Sequence, residues 1–475
     1  MPVLSDCGHS VMPKGALRFD GTVDMLTGPL LPKLLIFSLP LMASSVLQLL
    51  FNAADVVVVG RYASYASLAA VGSTTAIVNL VINLLIGISV GVNVVIARYL
   101  GEGGREEDIS AAVHTAVALA LLGGILLGGV GCAASGWMLR AVSTPADVYP
   151  LALTYLYIYF AGTPAAAMYN YSVAALRARG DTQRPLIFLA VSGVVNVILN
   201  LLFVISFHMD VAGVALATVL SEMLSAGMAL ACLMRSRDAL AFSWRKLRID
   251  LRSLKMIAKV GIPAGVQGCL FSLSNVAIQG AINAYGSIVV AGCSAASSIE
   301  GFIYVAMNAF HQTAQTFLSQ NMGAGQYGRV KSILKKCVLC AVMTGLILCT
   351  AVLLLSGPLL RIYNRDPAVV AAGTERLYIV ATLYIVFGIA DVLIGSLRGC
   401  GSPIVPVVCN LLCTCVFRLI WVAAINMDTM SVRWVYASYP LSWLFLLVVL
   451  LFCWQHLCRK RILSNIPSLD KGKNA

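Results

Sequence analysis

Long apolar runs dominate this chain and restrict it more than any other feature. Apolar residues fill 59% of its 475 positions and charged residues only 11%, against about 25% charged in soluble domains. A helical crossing of a bilayer takes about 20 apolar residues. Six stretches qualify in the first half: 33–58, 66–97, 111–133, 149–176, 186–207 and 211–234. Six more follow at 254–282, 287–318, 333–357, 373–397, 404–426 and 433–457. Inside hydrocarbon, backbone polar groups must be bonded within their own segment or within a closed barrel. Runs of this length predict helices, so the expected class is an all-α membrane protein with twelve spans.

The two halves repeat each other. Leu176-Arg177-Ala178-Arg179-Gly180, followed by Pro185, returns as Leu397-Arg398-Gly399-Cys400-Gly401, followed by Pro406, a shift of 221. Tyr155-Leu156-Tyr157-Ile158 returns at the same shift as Arg376-Leu377-Tyr378-Ile379. Gly101-Glu102-Gly103 returns as Gly323-Ala324-Gly325, and Pro40 and Asn52 return as Pro263 and Asn275. Each half holds an even number of spans, so both enter the membrane in the same orientation. The expected architecture is two six-helix lobes related by a pseudo-twofold axis along the membrane normal, a plan typical of transporters. The expected divisions are a cytoplasmic N-terminal segment (1–32), a first lobe (33–234), a basic linker (235–253), a second lobe (254–457) and a basic tail (458–475).

The net charge of +13 is sorted by membrane side and does not point to nucleic acid. With a cytoplasmic N-terminus, 26 lysines and arginines fall on the cytoplasmic side and six on the other: Arg61, Arg140, Arg361, Arg365, Arg376 and Arg433. Arg418 remains inside a span. That asymmetry is the positive-inside pattern and places both termini in the cytoplasm. Residues 1–29 have no apolar core before a cleavage site, so the first span is expected to serve as an uncleaved insertion signal. The stretch 235–259, with Trp244, reads as an amphipathic connector at the membrane surface. The fourteen cysteines lie mostly within spans, which favours packing over disulfides or metal; no cofactor is expected. Pro40, Pro164 and Pro263 fall inside spans as candidate kinks.

An ionisable group within a span costs about 2.5–3.5 kcal/mol on insertion scales, so each is a candidate functional residue. Four acids qualify: Asp55, Glu222, Glu300 and Asp391; Glu375 is too near a span end. Asp55 sits in the first span among strongly apolar neighbours. It is either a coupling carboxylate or an interfacial acid paired with Arg61, and the flanks favour coupling. Asn196 and Asn200 are four residues apart on the fifth span and share a helix face; they suit a polar path, an ion site or interhelical bonding. Glu300 lies mid-way along the eighth span. Asp391, in the tenth, is the repeat mate of Asn170 in the fourth, so repeat symmetry sets a polar group at one depth in both lobes. Asp391 is either a transport residue or half of a stabilising ion pair with Arg398 or Arg418. Arg418 has no acidic neighbour in sequence and is expected to pair across helices with Asp391 or Glu300. Glu222 suits helix packing or transport equally, and His311 reads as a packing histidine. Tyr155, Tyr157, Tyr159 and Phe160 read mainly as an interfacial aromatic belt, with attraction of organic cations as the alternative.

In order and spacing, several motifs together resemble the multidrug and toxic compound extrusion (MATE) family. They are Pro40, Asn52-Ala53-Ala54-Asp55, Val59-Gly60-Arg61 and Leu68-Ala69-Ala70-Val71-Gly72. Ala175-Leu176-Arg177-Ala178-Arg179-Gly180-Asp181-Thr182 with Pro185 follows. In the second half come Gly261-Ile262-Pro263, Ser319-Gln320-Asn321-Met322-Gly323-Ala324-Gly325, and Leu397-Arg398-Gly399 with Pro403 and Pro406. The resemblance covers about residues 26–457. It implies a monomeric multi-pass transporter of the plasma membrane, the bacterial inner membrane, surrounded by lipid. It implies export of cationic amphipathic small molecules in exchange for H⁺ or Na⁺, with Asp55 matching the family's first-span coupling acid. The family often places Asn then Asp four apart on the fifth span. Here both positions are Asn, 196 and 200, so Asp55 would face Asn170, Asn196 and Asn200 as the lone acid. The seventh-span glutamate of another branch is absent between Gly261 and Ala281, which leaves Glu300 and Asp391 as second-lobe candidates.

Two other functions compete with this one. A lipid-linked saccharide flippase of related fold should line its cleft with several cations, and only Arg418 lies deep in a span. An intramembrane enzyme should carry a His-Glu-x-x-His helix or a nucleophile–base pair on its spans, and neither occurs.

Overall fold

The computed structural model describes residues 22–62, 65–142, 144–425 and 430–458. Most of the expected N-terminal segment and the basic tail from 459 lie outside the described residues. The rest is helical, with no strand among the described residues. The first lobe comprises α1 (Leu30–Tyr62), α2 (Tyr65–Gly101), α3 (Glu106–Ala141), α4 (Tyr149–Arg179), α5 (Gln183–Leu201) and α6 (Asp210–Arg235). The second comprises α7 (Leu251–Asn283), α8 (Ser287–Gly323), α9 (Tyr327–Leu354), the short α10 (Ser356–Tyr363), α11 (Pro367–Thr382), α12 (Tyr384–Gly399), α13 (Ile404–Asn410), α14 (Phe417–Ala423) and α15 (Arg433–Cys453).

Eleven spans are long and apolar enough to cross a membrane, and α11 with α12 makes a twelfth when taken as one broken span. The expected tenth crossing, 373–397, is therefore not a single rod. Thr382 donates its hydroxyl back to the Tyr378 carbonyl at 2.5 Å, a bond that loosens a helix. The chain turns by 47° there. The eleventh span passes from α13 to α14 through a π-helical turn at Leu411–Val416, and α5 ends in another at Leu202–Ser206. Such turns redirect side chains and gather at functional positions. One follows Asn200; the other precedes Arg418.

The first helix of each half packs into the opposite lobe. Leu34, Phe37 and Leu41 of α1 join a core with Phe310 and Phe317 of α8 and residues of α9, α12 and α15. Phe37 meets Phe317 edge to face with ring centroids 5.5 Å apart. Reciprocally, Ile257 of α7 sits in the first lobe's core. The α2–α7 crossing is built on two small-residue pairs spaced by four, Gly87 with Gly91 and Gly261 with Gly265. A Cβ on Gly87 would lie 2.1 Å from the Gly265 nitrogen, and one on Gly91 would lie 2.4 Å from the Ile257 carbonyl. Backbone contact this close is the usual basis of helix association in lipid, where burial of apolar surface gives no net drive.

The connector after α6 buries Leu240 and Phe242 while Trp244 is half exposed. Phe242 packs against the His114 ring, whose Nε2 lies 3.2 Å from the Ser243 carbonyl and amide. It is a docked segment more than a floating linker.

Candidate functional site: two polar clusters beside an interlobe seal

Near the end of α1 away from the basic termini, Asp55 is half-buried and faces α5. The Asn200 amide donates to its carboxylate at 2.5 Å and to the Asn196 carbonyl oxygen at 3.2 Å. The four-residue spacing of the two asparagines puts both on the buried face, and Asn200 has no solvent exposure. The Asn200 carbonyl oxygen has no hydrogen-bond partner among the described residues. Arg61, the alternative partner read from sequence, is exposed and makes no ion pair with Asp55 among the described residues. Asn170 stays apart: its amide bonds the Ala166 carbonyl of its own helix at 2.8 Å.

Glu222 on α6 adds a second carboxylate to this lobe and accepts no side-chain hydrogen bond among the described residues. Tyr155 stacks on Tyr159 at 6.2 Å, and Tyr159 and Phe160 are buried. The expected aromatic belt is thus corrected. Residues 155 and 159 share an inward face by their four-residue spacing, and of the tyrosines only Tyr157 is exposed.

The second lobe gives its acids basic partners. Arg376 grips Glu300 with two bonds of 2.9 Å, and both residues are buried. The third guanidinium nitrogen points at the Cys293 sulfur, 2.9 Å away. Sequence placed Arg376 outside the membrane; in the structure it is buried on α11, within the lobe. Asp391 on α12 is held by His311, whose Nδ1 lies 2.9 Å from the carboxylate and 2.8 Å from the Asp391 carbonyl. Two acceptors around one nitrogen place the ring proton there. Asn308 donates to the other carboxylate oxygen at 3.3 Å. His311 is therefore a partner of the acid as well as a packed side chain.

The expected pairing of Arg418 with Asp391 or Glu300 is not formed, because Arg376 and His311 already occupy those acids. Arg398 likewise bonds Gln267 at 2.7 Å and not Asp391. Arg418 is wholly buried, donates Nε to Ser442 at 2.8 Å and stacks 4.3 Å from the centre of the Tyr439 ring. Its two terminal nitrogens have no hydrogen-bond partner among the described residues. Tyr439 lies between the two guanidiniums, with Arg376 5.1 Å from the ring centre. No group of three His, Cys, Asp or Glu side chains fit to hold a metal occurs among the described residues.

The lobes are tied together toward the basic end. Asn93 of α2 accepts from Thr316 at 3.0 Å and Gln315 at 3.4 Å on α8. Gln320 donates to the Ala178 carbonyl at 2.8 Å, and Arg177 to Gln312 at 3.0 Å. Residues 22–29 form a strap across this seam. The Val23 amide bonds the Gly180 carbonyl at 3.1 Å, Asn321 bonds the Met25 carbonyl at 3.1 Å, and Arg329 reaches Thr27 and Gly28. Asp24 anchors the strap. Burial raises its carboxyl, but bonds from Thr27, the Leu26 amide and Lys33 outweigh that and hold it at about 2. Gly180 is needed beneath the strap: its φ is +102°, and a Cβ would lie 2.3 Å from the Val23 carbonyl. Gly180→Ala is expected to lift the strap without unfolding either lobe. Hydrogen–deuterium exchange should then speed up at residues 22–29 by tenfold or more, while amides within α3 stay protected. Unchanged exchange in the strap would show that the Gly180 contact does not hold it.

Of the seam residues, Gln320 appeared in the sequence only as part of the motif at 319–325, and Asn93 and Gln315 did not stand out, since lone amides carry no signal by themselves. Comparison with known proteins fits this two-lobed frame. The MatE family model matches residues 40–202 and 263–423, one segment in each lobe. The probable multidrug resistance protein YpnP of Bacillus subtilis is 29% identical over 397 residues, covering 83% of this chain and 88% of its own. The probable multidrug resistance protein NorM of Thermotoga maritima is 22% identical over 426 residues, covering 88% of this chain and 89% of its own. Among solved structures, an outward-facing multidrug resistance MATE family transporter of the MOP superfamily superimposes with a TM-score of 0.85 at 20% identity, covering 94% of this chain and 98% of that one. With the family model matched in both lobes and this frame shared, the chain belongs to the MATE family of multidrug efflux transporters.

Proposed function

We propose that this protein is a secondary active transporter that exports organic cations in exchange for H⁺ or Na⁺, by alternating access of the cleft between its lobes. The observation that carries this reading is Asp55, a carboxylate in a membrane span with no cationic partner among the described residues and a single amide donor. Glu300, by contrast, is held in place by the Arg376 guanidinium. A coupling carboxylate must instead change charge state or ligand during the cycle.

The amide geometry favours a proton. In the ionised state Asp55 accepts from the Asn200 NH₂. In the protonated state it becomes a donor, and Asn200 offers an unpartnered carbonyl oxygen on the same amide. Rotation of one side chain thus gives both states a partner, whereas Na⁺ needs several oxygen ligands converging on one point. Glu222, with the stacked tyrosines, supplies the charge and ring faces that attract an amphipathic cation. The contacts of Asn93 and Gln320 across the lobes support a conformation closed at the basic end.

Reconstituted vesicles test this directly. With the H⁺ and Na⁺ gradients imposed independently, efflux of a cationic dye is expected to follow the H⁺ gradient and to continue without Na⁺. Transport driven by Na⁺ alone would overturn the proton assignment. Transport driven by neither ion would overturn antiport. The cytoplasmic position of the termini and the plasma membrane as location are part of this proposal, supported by the sorted basic residues.

A further inference from the structure

An open recess of about 800 Å³ lies where α4 ends, α5 begins and α6 ends, on the basic side of the molecule and away from the interlobe cleft. Its polar wall carries Arg179, Arg184, Arg235 and Arg237. Among the described residues, Asp238 and Asp181 pair with Arg179 and Arg184. Asp238 is taken by Arg179 at 2.6 Å. Asp181, almost fully buried, lies 3.6 Å from Arg179 and 3.5 Å from Arg184. Arg235 and Arg237 are exposed and make no ion pair among the described residues. Among the described residues, Arg235 and Arg237 therefore leave positive charge at the mouth of the recess.

Its opposite wall is apolar, with Phe188 and Met228. From it an apolar stripe runs down α5: Ile187, Val191, Val194 and Ile198 are all exposed. Their spacing of three and four places them on one helix face, with Arg184 three residues ahead of Ile187 at its head. A basic mouth above an apolar stripe at the membrane boundary matches a molecule with an anionic head and a hydrocarbon tail.

We propose that this recess binds the headgroup of an anionic phospholipid, with Arg235 and Arg237 as the phosphate contacts and an acyl chain along α5. Basic pockets between transmembrane helices on the cytoplasmic side are suited to such headgroups. The inference rests on the membrane-spanning fold and on the basic side being cytoplasmic; it does not depend on the coupling ion or on Asp55.

The test uses the purified full-length transporter, with lipid binding counted by native mass spectrometry. Phosphatidylglycerol and phosphatidylcholine of the same acyl chains are titrated separately, and inorganic phosphate forms a third arm. The expected result is preferential retention of phosphatidylglycerol. In the double variant Arg235→Gln/Arg237→Gln, its binding should weaken about 30-fold, the effect of removing two interfacial charges. A control variant at the opposite end, Arg361→Gln/Arg365→Gln, should bind as wild type. Equal binding of the two lipids by wild type, or undiminished phosphatidylglycerol binding by the double variant, would overturn the site. Inorganic phosphate displacing phosphatidylglycerol at equal concentration would overturn the lipid assignment in favour of a free anion.

Discussion

Asp55→Asn is expected to reduce gradient-driven efflux to the level of protein-free vesicles while leaving the transporter inserted and folded. Asparagine is nearly isosteric with aspartate, and its carbonyl oxygen accepts the same bond from Asn200. The substitution also removes an acid whose placement in a span costs about 2.5–3.5 kcal/mol. Thermal stability in detergent should therefore hold or rise. Only the ability to cycle between charged and neutral forms is lost. Asn200→Ala should behave differently: the carboxylate remains but its single donor is gone, so coupling weakens, its dependence on external pH shifts, and transport persists. Full gradient-driven efflux by Asp55→Asn, at wild-type abundance, would remove the residue from the mechanism and with it the main support for the coupling model.

Asp55 was legible in the sequence for the reason that makes it testable. An acid flanked by Ala53-Ala54 and Val56-Val57-Val58-Val59 contrasts with its surroundings, and the four-residue step of Asn196 and Asn200 announces a shared face. The helical class and the doubled architecture were equally visible, because hydropathy and a constant repeat shift survive without any knowledge of packing. Arg376 was not. It falls near the start of the expected span 373–397, where a basic residue reads as interfacial, and only the packing shows that it pairs inward with Glu300. The pairing of buried charges was also hidden: Arg418 and Glu300 look complementary until Arg376 enters the same lobe and takes the acid. The GxxxG steps at Gly87 and Gly261 are present in the sequence, but only the structure shows that they oppose each other across the lobes.

Glu300 and Arg376 should produce the largest stability effects in the molecule. Glu300→Gln leaves a buried guanidinium without its counter-charge, near Arg418, which is already buried without an ion pair among the described residues and contacts the same Tyr439 ring. Removing one member of a buried pair costs about 3–5 kcal/mol, since the remaining charge stays desolvated. Arg376→Met should cost a similar amount by leaving the acid alone. The double variant Glu300→Leu/Arg376→Met removes both charges and replaces them with apolar groups, and buried pairs so replaced are commonly neutral or stabilising. It should recover most of the lost melting temperature. Sequence left Glu300 as a candidate for ion coupling, and the double variant decides between that role and a structural one. If the pair only braces α8 against α11, the double variant will export dye under a proton gradient at close to the wild-type rate. If it melts like wild type yet fails to transport, the carboxylate belongs to the transport cycle, and the second lobe shares coupling with Asp55.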